Sequence, residues 1–141
     1  MGFRVLHAGD AFWRPSNATG VANTNLADQL GMSALGARLW RLAPGQFVTK
    51  HRHREQAELY VVLEGTGRMR LGDEVLTLAP LSAVAVDPDT VRQPFNDTDA
   101  DCLWLVAGAP VEAGDTRAMT PETIAALYPD GLTARPPELG G

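Results

Sequence analysis

The sequence predicts an all-β fold, a sandwich or barrel, accompanied by one short helix near the C-terminus. The first observation is punctuation. From Leu35 onward, short apolar runs ("ARLWRL", "QFVTKHRH", "ELYVVLE", "RMRL", "EVLTL", "SAVAV", "RQPFN", "DCLWLVAG") alternate with the turn signals "APG", "REQA", "GTG", "GD", "AP", "DPDTV" and "NDTDA". Strands spaced roughly 8–12 residues apart and divided by Gly, Pro and Asp carry this signature. The second is that none of these runs is long enough for a helix. The third is a single helical signal, "TPETIAALYP". Thr120 suits the N-cap and Pro121 the first helical position. Ile124, Leu127 and Tyr128 share a face, and Pro129 and Gly131 stop the helix.

Taken in order, residues 1–34 form an N-terminal arm, loop-like over 12–31, where Pro15, Gly20, Gly31 and several asparagines fall. Residues 35–110 carry the strands, and residues 111–141 the helix and tail. At 141 residues, the three parts make one domain. Alternate residues of a strand face the same side. Phe47, Thr49, His51 and His53 are therefore expected on one face. Val48, Lys50, Arg52 and Arg54 fall on the other, whose basic side chains are expected in solvent. Glu58, Tyr60 and Val62 share a face, as do Leu59, Val61 and Leu63, so this strand reads as covered on both sides. Glu55 and Gln56 are expected on an exposed turn. The tail "TARPPELGG" is expected to be extended and loosely held.

Composition narrows the function. A formal net charge of −5 argues against nucleic acid as a partner, since such binders carry a basic face. No apolar run reaches the length of a membrane span. The opening "MGFRVLHAGDAFWRP" lacks the apolar core of a secretory signal. Cys102 is the one cysteine, which excludes an internal disulfide and fits a small buried apolar residue. The expectation is a cytoplasmic protein.

The stretch around the two neighbouring histidines is more specific. It reads Gly45, five residues, His51-Arg52-His53, four residues, Glu58, six residues, Gly65. This spacing resembles the first motif of the cupin family. The stretch "LTLAPLSAVAVDPDTVRQPFN", from Pro80 to Asn96, is similar to the second motif, with two departures. Ser82 stands where the family has a glycine, and Arg92 where it has a histidine. The resemblance implies a jelly-roll β-barrel. It also implies that His51, His53 and Glu58 match three of four metal ligands. Two histidines and a carboxylate suit one divalent transition ion: Fe, Mn, Ni, Co or Zn. His7, the remaining histidine, lies far from the motif and is not expected to complete the set.

Arg92 leaves two readings open, because a guanidinium cannot ligate a metal. It can pair with Glu58 and leave a metal-free pocket for a small anion or sugar. Alternatively it stands aside and clamps an anionic substrate while three ligands hold the metal. Arg92, Tyr60 and Phe47 are the candidate ligand-binding residues. Tyr60, Phe47 and Trp104 serve equally as core. The functions left open are a metal-dependent dioxygenase, isomerase or decarboxylase acting on a small polar molecule, a metal-free binding barrel, and a structural or regulatory protein. Small cupins commonly form dimers, so a homodimer is expected.

Overall fold

Among residues 2–140, which the computed structural model describes, the chain forms nine strands and two short α-helices. In chain order they are β1 (Arg14–Pro15), β2 (Ala22–Asn25), α1 (Leu26–Gln29), β3 (Gly36–Leu42), β4 (Ala57–Glu64), β5 (Gly67–Leu71), β6 (Glu74–Leu78), β7 (Ala83–Val86), β8 (Arg92–Phe95), β9 (Cys102–Ala109) and α2 (Pro121–Leu127). A six-stranded antiparallel sheet has the order β1-β2-β3-β9-β4-β7, and a three-stranded sheet the order β6-β5-β8. No described helix is long and apolar enough to cross a membrane.

The register of the large sheet decides what faces inward. One row runs Asn25, Arg38, Val106, Tyr60, Val84, and the next runs Arg14, Asn23, Trp40, Trp104, Val62. Val62, Trp104, Tyr60, Leu42, Val21 and Met69 form the core between the sheets. Each such side chain, fully buried, contributes about 1.5–3 kcal/mol. Tyr60 packs edge-on against Trp104, with ring centroids 6.0 Å apart. The outer face of β4 is only partly covered, since Leu59 is 44% exposed.

Residues 47–51 lie against β8 but break strict alternation. Phe47 opposes Phe95 and His51 opposes Arg92, so five residues face four. The surplus residue is a bulge. It corrects the expectation that Phe47 shares the histidines' face. Val48 is the residue that joins the core, while Phe47 turns to the far side beneath the Arg135 guanidinium, 5.7 Å from its ring centroid.

Other expectations are corrected too. The 12–31 segment is not all loop: β1, β2 and α1 lie there, too short for alternation to reveal. Asn23 and Thr24 are buried by pairing with β3, and the Asn25 side chain caps α1. The basic side chains of 50–52 are not simply solvated. Arg52 donates from Nε to the Ala126 carbonyl (2.7 Å), and Lys50 pairs with Asp130, so both hold the end of α2. The tail is tied down. Gln93 Nε2 donates to the Ala134 carbonyl (2.8 Å), Arg70 holds both Glu138 oxygens (2.8 and 3.0 Å), and Pro136 is buried. Helix α2 begins as its sequence indicates, with Thr120 Oγ1 accepting from the Thr123 amide at 3.1 Å.

Candidate metal centre

His51, His53 and Glu58 meet at one end of a cavity of about 430 Å³ between the sheets. One ligand atom from each lies within 4.8 Å of the others. His51 and His53 arrive on the strand after the bulge, and Glu58 near the start of β4, so the group bridges the two sheets.

Each imidazole has its outer nitrogen engaged. His51 Nδ1 lies 2.9 Å from the Thr49 carbonyl, and His53 Nδ1 lies 3.1 Å from Glu112 Oε2. The Thr49 carbonyl fixes the His51 proton on Nδ1, whereas His53 stands between two carboxylates; Nε2 of each ring turns toward Glu58 Oε1, at 3.9 Å and 3.3 Å. Burial lowers the His51 pKa to about 4, against the opposing pull of Glu58. His51 is therefore neutral at pH 7 and aims a lone pair at a carboxylate. Tyr128, at the end of α2, stacks on it with centroids 5.9 Å apart.

Glu58 is held as a carboxylate. Burial alone pushes its pKa up, but the hydrogen bond from His53, the charges of both histidines and the Tyr60 hydroxyl together bring it down to about 2. Tyr60 donates to Oε1 at 2.8 Å, and Gln56 Nε2 to Oε2 at 3.2 Å. Tyr60 itself is kept neutral, chiefly by burial, with a pKa well above its usual value.

Of the candidate ligand-binding residues, only Tyr60 lines the cavity, along with the three clustered residues. Phe47 lies outside it for the reason given. Arg92 is completely buried and turned to Glu58 instead. Its Nη1 donates to Glu58 Oε1 at 3.0 Å and its Nη2 to the Asp87 carbonyl at 2.6 Å, while Nε has no partner. His7 does not join the cluster.

Two residues that the sequence hid complete the surroundings. Gln56 was expected on an exposed turn, yet it is buried and links Glu58 to the Glu112 amide (2.9 Å). Glu112 accepts from the amides of Arg54, Glu55 and Gln56 as well as from His53. It lies 59 residues from His53, and no local pattern marks it.

The family's sequence profile, described as a cupin domain, matches residues 38–108. The chain belongs to the cupin family. Among proteins of curated function none matches it. Solved cupin-like structures do. A sugar phosphate isomerase of the cupin superfamily from Silicibacter pomeroyi is 28% identical, with a TM-score of 0.70 over 77% of this chain and 76% of that one. A predicted oxalate decarboxylase from Thermotoga maritima is 19% identical, with a TM-score of 0.67 over 77% of this chain and 100% of that one. KdgF from Halomonas sp. is 15% identical, with a TM-score of 0.65 over 77% and 96%. The last two are alike in fold only. The cupin motif thus corresponds here to a real cluster, with an arginine where the family has its fourth ligand.

Proposed function

We propose that this cupin is a metal-dependent enzyme of isomerase type acting on a small polar molecule in the barrel cavity, with His51, His53 and Glu58 holding one divalent transition ion. The observation that carries this reading is the pair of Nδ1 anchors. With both Nδ1 atoms engaged, the two Nε2 atoms and an ionised carboxylate converge on one point where a cation could replace the His53–Glu58 hydrogen bond. The ion would be Fe, Mn, Ni, Co or Zn, and would supply Lewis-acid polarisation of a substrate oxygen. The chain's own groups do the rest. Glu112 and Thr49 orient the rings. Tyr60 and Gln56 fix the Glu58 carboxylate. Arg92 pairs with it from behind and does not touch substrate. The likeness to a sugar phosphate isomerase supports the isomerase class over an oxygenase.

A second reading is favoured by the Arg92–Glu58 contact. A buried arginine already neutralises the carboxylate, so the cluster is satisfied without metal, as a binding barrel for a small anion or sugar. Elemental analysis of untagged protein, purified without chelator, decides between them. Near-stoichiometric transition metal that disappears in His51→Ala supports the enzyme. An empty wild type beside a loaded Arg92→His variant supports the binding barrel. The exposed Phe3, Val5 and Phe12 side chains and Leu59 on β4 support a homodimer. A monomer mass by light scattering would overturn that assignment.

A further inference from the structure

The far end of the cavity is cationic. β1, β2 and β3 place Arg14, Asn23, Asn25 and Arg38 on the same face of the large sheet as Glu58 and Tyr60, and all of them line the cavity. Arg38 lies two strands from Tyr60 in the same row, about 10 Å away at the backbone. Arg38 is half-buried on this inward face and needs an explanation, because burial without a counter-charge is unfavourable, while Arg14 stays exposed beside it.

The protein's own groups do not supply one. Among the described residues neither Arg14 nor Arg38 forms an ion pair. Arg38 Nη1 donates to Asn23 Oδ1 at 2.9 Å, a neutral acceptor. Burial and then the nearby charge of Arg14 lower the Arg38 pKa, and Asp28 only partly offsets them. Asp115, the acid on the cavity wall beside Arg14, is engaged by Arg117 at 3.0 Å. Two guanidiniums thus face one cavity without an ion-pair partner among the described residues, with Asp28 only near Arg38, in a chain whose net charge is −5. Ser16 and Thr19 add hydroxyls to the same wall.

We infer that Arg14 and Arg38 form an oxyanion subsite that takes the phosphate group of a small ligand whose other end lies at His51, His53 and Glu58. Guanidinium forks match tetrahedral oxyanions, and Asn25 and the Ser16–Thr19 hydroxyl pair suit the remaining oxygens, whereas Asn23 Nδ2 is already engaged by the Arg14 and Val21 carbonyls. A dianion relieves the mutual repulsion of the two arginines, which a neutral sugar does not. The inference deepens the proposed function by naming the charged end of the substrate, and rests on it only in taking this cavity as the ligand site.

The test is a titration of chelator-treated protein with inorganic phosphate at constant ionic strength, followed by backbone amide shifts. Malonate serves as the carboxylate comparison. Without metal, the result does not depend on whether the metal centre forms. Saturable phosphate binding is expected, tighter than malonate and about tenfold weaker in both Arg14→Gln and Arg38→Gln. His51→Ala should leave phosphate affinity within about twofold, since the subsite lies away from the cluster. Arg14 is exposed, so its variant keeps the test readable even if loss of the Arg38–Asn23 contact unfolds the other. No binding by the wild type, equal binding by the Arg14 variant, or a preference for malonate would each overturn the inference. Metal uptake, measured separately, bears on the proposed function and not on this one.

Discussion

Replacing Arg92 with methionine tests the claim that the guanidinium exists to neutralise Glu58. Methionine fills most of the space of the arginine stem and removes the charge. Both partners are buried, at 0% and 8% side-chain exposure, so solvent screens the pair little. Removing one member of such a pair typically costs about 3–5 kcal/mol, because the other charge is stranded. Glu58 limits this loss by protonating. At pH 7, protonating a carboxyl with an ordinary pKa near 4.3 costs about 4 kcal/mol, and at pH 5 about 1 kcal/mol. The charge-dependent part of the deficit should therefore shrink between pH 7 and pH 5 by at most about 3 kcal/mol, less whatever His53 and Tyr60 still contribute to holding Glu58 ionised. The sign is opposite in the wild type. There the Glu58 pKa is lowered from 4.5 to about 2, so its stabilisation is complete above the unfolded value and is lost only as the pH falls toward 2. The Asp87 carbonyl loses its donor in the variant at any pH, so that part of the deficit stays constant. Urea denaturation with chelator present, at both pH values, reads the difference. At pH 7 it corresponds to a fall in Tm on the order of 10 °C. A deficit below about 1 kcal/mol, or one that does not change with pH, would refute the reasoning.

Three other outcomes are expected. Leu81 is the one described non-glycine residue with positive φ (72°) and is 79% exposed, so Leu81→Gly should stabilise the protein by about 1 kcal/mol in the same denaturation assay. Removing residues 134–141 strips the Arg70–Glu138 pair, the buried Pro136 and the cover over Phe47, and should cost about 2–4 kcal/mol by urea melt. Cys102 is fully buried and burial raises its pKa to about 11, so a thiol reagent at pH 8 should leave the native protein unlabelled and modify one site in denaturant.

The barrel and its cluster were legible because both rest on local spacing. Turn residues divide the strands, and Gly45, His51, His53, Glu58 and Gly65 keep fixed intervals along one segment. Gly65 shows why the interval has physical content. It has φ of 76°, and a Cβ there would run into the Asp101 carbonyl oxygen, so only glycine fits. What stayed hidden depends on distance or on count. Glu112 meets His53 only through the packing of the chain after β9. Arg14 and Arg38 become neighbours only when β1 and β2, a two-residue and a four-residue strand, are laid beside β3. Phe47 was misplaced because alternation assumes an uninterrupted ladder, and one extra residue reverses every side chain beyond it. Arg92 was recognised as the departure that matters, but pairing and substrate clamping predict the same residue type. Only its burial separates them.

The bulge between Phe47 and His51 also accounts for a choice that proteins with such clusters must make. A regular ladder would bring the histidine opposite Arg92 with one residue fewer, and would still point it inward. The surplus residue is taken up where the Thr49 carbonyl comes within 2.9 Å of His51 Nδ1. An apparent redundancy in chain length thereby becomes selection of a tautomer. The five-residue gap after Gly45 therefore specifies which atom of the imidazole is offered, a property that no substitution at His51 itself could encode.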